Sequence, residues 1–527
     1  SLALSLADNN RAELEKVLTH YSKEAKDSLK LKAAIFLIEN MPGHYSYIPD
    51  SVSDYRKEYE RILDMKTAVQ EKINLLKSLS ASYPNLDKAI MEDVKLITAD
   101  YLIYNIDKSF AIWENSLYCD HLTFDDFCEL ILPYKCVELQ EFDDWKETLS
   151  NLYNDKFYDT PPNDENYRNP QHASKQLSQQ MRTTLRIRES SHKGHKLFNK
   201  KTFSEQPFGN CTDYSFAAVA TMRSKGIPAC FEELPQWGKN VNGHGWHSIY
   251  NDNGKYLPSP WNLTSVPGDI FFPDKAIPKV FRDTYAHQPE IEEYLAKSKL
   301  KHPSIKQFKK DVTDEYLSTN DINIPIENKN LKEDYAYIAM FRGLDWNVIH
   351  FGKIEKGKAR FNKMGRGLVY IALGFDGEKL IPVSSPFILN TKGETHFLEP
   401  DEKSCQKVTL LRKFPKSFHT AKVEDYIVGG QIQAATKADF SDRVTLYKIE
   451  DLMFPDLIKI DTIANYQYWR FISGSRKTCS LAELQFYERG KEEPSIQTII
   501  GSMRNEKAGI APLQNAFDGN WLTSYTS

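Results

Sequence analysis

Gly209-Asn210-Cys211-Thr212-Asp213-Tyr214, running on to Arg223-Ser224-Lys225-Gly226-Ile227-Pro228-Ala229, is the stretch from which the fold is read. Residues Thr212 to Met222 suit a helix, with Cys211, Tyr214, Ser215, Ala218, Val219 and Met222 on one face. Gly226 ends it and Pro228 prevents its return. Cys211 therefore falls at a helix N-terminus, behind Gly209. Backbone N–H groups and the helix dipole stabilise a thiolate there, and the same amides can hold an oxyanion. A cysteine taken at random is a buried, inert one, so the position needs a partner to mean anything.

The partner lies about thirty residues on. Gly243-His244-Gly245-Trp246-His247-Ser248-Ile249-Tyr250 is followed by Asn251-Asp252-Asn253-Gly254 and Lys255-Tyr256-Leu257. This predicts a strand, a tight turn and a returning strand. Alternation puts His244, Trp246, Ser248 and Tyr250 on one face and His247 on the other. A cysteine on a helix tip and a histidine on a facing strand suit thiol chemistry, in which the imidazole takes the thiol proton and returns it to the leaving group.

These residues resemble the transglutaminase-like superfamily, in which a cysteine opens a helix, an Arg-Ser-x-Gly-Ile-Pro-Ala run leaves it, and a His-x-Trp strand follows. The resemblance covers about 80 of the 527 residues. It implies a papain-like thiol fold with Cys211 as nucleophile and His244, rather than His247, as base. The family sets an Asp after the returning strand. Here Tyr256-Leu257-Pro258-Ser259-Pro260-Trp261-Asn262 carries no carboxylate. Asn262 is the expected third member, with Ser259 a weaker option and Asp269 or Asp274 more distant ones. The family attacks amide carbonyls, so the implied function is a cysteine-dependent amide hydrolase or acyltransferase on peptides or glycopeptides. It could be a protease or resemble a peptide N-glycanase. The alternative is a non-catalytic carbohydrate- or protein-binding protein with a degenerate core.

Outside this core, length suggests about three to four domains. Residues 1–165 read as a helical N-terminal region. Asn10 caps one helix; Leu29 to Met41, the Tyr55–Leu63 stripe and Asp87 to Trp113 supply others. Residues 145–203 read as a polar join, 166–290 as the transglutaminase-like core and 291–325 as a connection. Residues 326–425 read as a β-sandwich, from runs such as Tyr335–Phe341 and Leu368–Leu373. The whole is expected to be multidomain α+β. Tyr468-Trp469-Arg470-Phe471 and Leu481–Tyr487 look like the closing strands of a discoidin-type, galactose-binding-like module at 426–490. Asn515–Thr523 looks like the opening of another at 491–527, which implies a natural chain continuing beyond Ser527.

With 68 Lys and Arg against 72 Asp and Glu, no basic excess exists to neutralise phosphates, so no nucleic-acid partner is expected. No apolar run approaches a membrane span. Seven dispersed cysteines without a CxxC pair argue against structural zinc, and neither cofactor nor metal is called for. The expected partners are a peptide, protein or glycoprotein substrate, with glycans held by the C-terminal sandwiches. No leader is visible, and the resemblance implies a secreted, cell-surface or periplasmic bacterial protein.

Overall fold

The computed structural model describes residues 2–153, 163–164, 166–185, 188–189, 194–238, 241–260, 267–268, 276–327, 331–342, 345–407, 427–450, 458–460, 465–474, 479–487, 498–501, 513–520 and 523–526. The chain forms two compact units, 1–409 and 410–527. Among the described residues, no helix is long and apolar enough to cross a membrane.

The first unit begins with α1 (Leu2–Leu6), α2 (Arg11–Tyr21), α3 (Ser28–Glu39), α4 (Pro49–Asp64), α5 (Val69–Ser82), α6 (Ala99–Asn115), α7 (Phe124–Leu130) and α8 (Trp145–Ser150). Leu14, Val17, Leu37, Leu102, Ile106 and Phe127 join α2, α3, α6 and α7 in one core. Tyr55, Tyr59, Ile73 and Leu76 join α4 and α5 in another. Two expectations are corrected here. The helix expected from Asp87 begins only at Ala99, because β2 (Ile90–Glu92) pairs with β1 (Tyr45–Tyr47). Asn10 makes no cap bond; its Nδ2 donates to Val94 O at 3.0 Å and Ile97 O at 2.9 Å, carbonyls freed where the chain turns from β2 into α6.

The stretch read as a polar join also contains α9 (Pro170–Leu185) and α10 (Lys200–Glu205), while β3 (Arg188–Glu189) runs parallel to β4 (Phe208–Gly209). Next comes α11 (Cys211–Ser224), buried on every side from Tyr214 onward. It packs against an antiparallel sheet of β5 (Ala229–Leu234), β6 (His244–Tyr250), β7 (Tyr256–Ser259), β8 (Phe281–Asp283) and β9 (Lys309–Asp311), in the order β7-β6-β5-β8-β9. Pro258 is tolerated because β7 is an edge strand. Ala229, Phe231 and Ile249 meet Phe216, Ala217 and Ala220 in the layer between helix and sheet.

The stretch read as a connection carries α12 (Pro289–Lys297), β9, α13 (Thr313–Tyr316) and β10 (Thr319–Pro325). β9 and α13, of three and four residues, leave no periodicity to read, whereas α12 and β10, of nine and seven, lie hidden in a stretch rich in Lys, Asp and Pro. β10 joins β11 (Tyr335–Phe341), β12 (Trp346–Glu355), β13 (Lys358–Gly365), β14 (Leu368–Phe375), β15 (Leu380–Pro382), β16 (Phe387–Leu389) and β17 (Thr395–Phe397) in an eight-stranded sheet. Ile324, Ile338, Phe361, Tyr370 and Phe387 pack on one another across its inner face, so the sheet is rolled into a near-barrel. On its outer face, Tyr294 of α12 covers Tyr335, Tyr337 and Phe351.

In the second unit, β18 (Gln431–Ala435) lies between β19 (Val444–Lys448) and β20 (Tyr468–Ile472). β21 (Ser480–Leu481) pairs with β22 (Tyr525–Thr526), and Leu484 N donates to Ala516 O at 2.7 Å. The last described residues thus fold back onto the segment at 480–484.

Candidate functional site

Cys211 is the first residue of α11 and is half-buried. Asn210 caps the helix: its Oδ1 accepts from Thr212 N at 3.0 Å and Asp213 N at 3.1 Å. Asp213 answers by accepting from Asn210 N at 3.0 Å, and Lys196 Nζ holds the same carboxylate at 2.6 Å. This reciprocal cap satisfies three of the four orphan amides at the helix start, those of Asn210, Thr212 and Asp213. The Cys211 amide lies outside the cap. The expected site of anion stabilisation narrows accordingly to the Cys211 amide and the helix dipole.

The far end of the helix is fixed as firmly. Gly226 adopts φ +72, where Ile227 N donates to Met222 O at 2.9 Å. A Cβ on Gly226 would stand 2.3 Å from the Ser116 side chain. Ser116 Oγ and Cys119 Sγ both donate to the Gly226 carbonyl, at 3.3 and 3.1 Å. Buried Arg223 donates from Nε to Ala229 O at 2.7 Å and so joins the helix end to the start of β5.

The start of β6 meets the start of α11 at one point. A Cβ on Gly245 would lie 3.3 Å from Thr212 Oγ1 and 2.7 Å from the Phe231 ring. Cys211 and His244 each precede this contact by one residue. Beyond it, the body of α11 packs on the face that carries Ile249. Alternation gives His247 that same face, and His244 the other, with Trp246 and Ser248. The His244 ring lies 5.7 Å from the Trp237 ring and 6.0 Å from the Trp246 ring, centre to centre.

The two histidines of the motif differ in surroundings. His244 is half-buried at the strand's first residue. His247 is fully buried, and neither ring nitrogen has a hydrogen-bond partner. Burial alone pulls its pKa down to about 3, because a low-polarity surround disfavours the cation. Directly opposite His247 stands Ser259, also fully buried, its hydroxyl unpartnered. Ser259 thus pairs with position 247 rather than 244. Asn262, Asp269 and Asp274 lie outside the described residues.

Sequence reasoning missed the network behind the sheet. Glu232, fully buried on β5, accepts from Trp246 Nε1 at 3.1 Å, from the hydroxyls of Ser248 and Tyr316, and from Arg282 Nε at 2.8 Å. Arg282 also holds Glu315 at 2.6 Å and stacks over the Tyr256 ring at 3.3 Å. A buried carboxylate needs such pairing. The network locks the indole that flanks His244. Two consecutive glutamates, Glu232 and Glu233, in the run Ala229–Leu234 were the available signal, since alternation puts them on opposite faces of the strand.

With this geometry in view, residues 162–259 match the transglutaminase-like superfamily. The matched stretch contains α9, α10, α11 and β5 to β7, so the core that carries Cys211 and His244 is transglutaminase-like. No curated protein matches the chain, and no solved structure does.

Proposed function

We propose that the protein is a cysteine-dependent enzyme that attacks amide bonds of peptides or glycopeptides, with Cys211 as nucleophile and His244 as base. One observation carries the reading. The Thr212–Gly245 contact joins the capped tip of α11 to the first residues of β6, each next to one member of the pair. His247 is unsuited to the role, being sealed beneath the helix where no substrate proton can reach it. In the proposed reaction His244 takes the Cys211 proton and the thiolate adds to the amide carbonyl. The C–N bond breaks as the imidazolium protonates the departing amine. Water, deprotonated by the same imidazole, then cleaves the thioester and restores the thiol.

Asn262 is proposed as the third member. In the register of β6 with β7, Ser248 meets Pro258 and His247 meets Ser259. Asn262 follows Ser259 by three residues in the sequence, and its side-chain oxygen is the kind of group that orients the imidazole in Cys-His-Asn sites. The second reading, a non-catalytic binding protein, draws on the absence of a carboxylate from β7, Tyr256–Ser259. In either reading the second unit is proposed to hold glycans or surfaces outside the cytoplasm, since it exposes the rings of Trp469 and Tyr487.

The test is mass spectrometry of the protein incubated with a reduced, unfolded protein substrate such as casein. An acyl adduct on Cys211 and new peptide termini, both absent in Cys211→Ala, are the expected results. A wild-type protein that forms no adduct and releases neither peptide nor ammonia leaves the binding reading in place.

A further inference from the structure

The sheet that carries His244 is covered on both faces. α11 meets one of them through Phe231 and Ile249, while Cys230, pointing the other way, joins the core of the N-terminal helices. Between those helices and the sheet remains a cavity of about 160 Å³. Glu129 and Leu130, at the end of α7, form one wall; Cys230, Tyr256 and Arg282 form another, with Gln288 and Lys310 beside them. Cys230 pairs with Ser248 four residues along β5 from the pair of Leu234 with His244, about 13 Å away. The cavity is therefore separate from the proposed thiol site.

Its charges are unevenly matched. Arg282 is fully engaged, with Nε on Glu232 and its two terminal nitrogens on Glu315, and these two carboxylates offset its charge. Asp283, also in the lining, pairs with Lys309. Glu129 has no ion pair among the described residues. Its oxygens accept from two backbone amides, Tyr285 N at 2.8 Å and Ala286 N at 3.1 Å. Burial raises its pKa in spite of these bonds and of the more distant charges of Arg223 and His44. A carboxylate so placed lacks a cation.

Neighbouring groups keep bonding capacity of the same sense. Gln288 spends Nε2 on Thr284 Oγ1 at 2.9 Å and Ala286 O at 3.2 Å, which leaves its Oε1 as an acceptor without a donor among the described residues. The Tyr256 hydroxyl and the thiol of Cys230, only 1% exposed, make no hydrogen bond among them either. A positive group with several N–H donors answers this wall, and an ammonium carries three. A cavity of about 150 Å³ admits one benzene-sized molecule, so a chain of a few carbons fits beside it. Among the described residues no group of three or more His, Cys, Asp or Glu is arranged to hold a metal ion, so the donor set favours an organic cation.

We propose that this cavity binds a small primary amine, with its ammonium on Glu129 and its carbon chain against Leu130 and Tyr256. Lys310 is exposed and has no ion pair among the described residues, so it is free to take the carboxylate if the amine is an amino acid. The site stands independently of any chemistry at Cys211.

Titration calorimetry of the full chain at neutral pH and constant ionic strength tests it. The probes are ethylamine, L-alanine and, as an anion of similar size, propionate. Ethylamine should bind at one site and propionate should not. Cys230→Met, which fills the cavity with a longer uncharged side chain, and Glu129→Gln should each weaken amine binding by at least about tenfold. Thermal unfolding identifies which variants keep the fold, and either one suffices. Alanine that binds more tightly than ethylamine, with the gain lost in Lys310→Ala, marks an amino-acid site; alanine that binds no better marks a site for simple amines. No binding of either amine, equal binding of propionate, or wild-type affinity in a folded Cys230→Met or Glu129→Gln protein overturns the proposal.

Discussion

Cys211 and Cys405 are the same chemical group in different settings: one begins a capped helix, the other is exposed at the surface. Burial pushes the thiols of Cys119 and Cys128 up to about 12, and raises those of Cys136, Cys230 and Cys479. Near pH ~6.5, iodoacetamide is expected to label Cys211 before all of these and before Cys405, a consequence of the helix tip and of the proposed pairing with His244. His244→Ala should slow that labelling. Equal rates at Cys211 and Cys405, read by peptide mass spectrometry, would count against the thiolate. His247 supports a separate expectation. Its folded pKa of about 3, like that of buried His350, lies below the unfolded value of 6.5. As pH falls through 6.5, protons bind the unfolded chain first. Stability is therefore complete above 6.5 and declines toward 3, by roughly 1.4 kcal/mol per pH unit for each such histidine. His247→Leu should flatten this slope in urea unfolding curves. Subtraction from wild type cancels the opposite contribution of Asp143, whose buried carboxyl is pushed up to about 7. A slope unchanged by His247→Leu would contradict the assignment.

The elements most legible in sequence are those with strong punctuation. α11 runs from its Asn210 cap to Gly226, and β6 turns into β7 through Asn251–Gly254. The periodic apolar residues and turn chemistry sit within the segment itself, so no distant partner is needed to read them. β2, β8 and β9 have three residues each and exist because strands far away in sequence pair with them. No local pattern announces them. Glu232 was hidden for a related reason: its partners Arg282 and Tyr316 lie 50 and 84 residues further along the chain, Tyr316 in the stretch read as a connection, where Glu315, which pairs with Arg282, also lies. At this scale, Gly226→Ala should destabilise by about 1–3 kcal/mol, because it combines a left-handed residue with a blocked Cβ. Asn210→Ala should cost about 0.5–2 kcal/mol through the lost cap. Asn210→Asp should restore most of that. Thermal unfolding of the three variants checks the order; an Asn210→Ala protein as stable as wild type would mean the cap contributes nothing.

For the whole molecule, division at about residue 409 implies that the first unit is self-sufficient. A chain ending at Thr409 is expected to unfold cooperatively and to keep the wild-type iodoacetamide rate at Cys211. Loss of either, measured by calorimetry and mass spectrometry, would show that the second unit is needed for the core. The anchoring of Gly226 has a further consequence for anyone who dissects the chain. The stretch that carries the family likeness, 162–259, does not include Ser116 or Cys119, the groups that grip the helix exit, nor β8, which closes the sheet beside β5. An excised fragment with those limits would have an open sheet edge and a loose helix end. Its silence in an assay would say nothing about Cys211. The smallest piece fit for a fair trial begins within the helical region, before Ser116, and extends past β9.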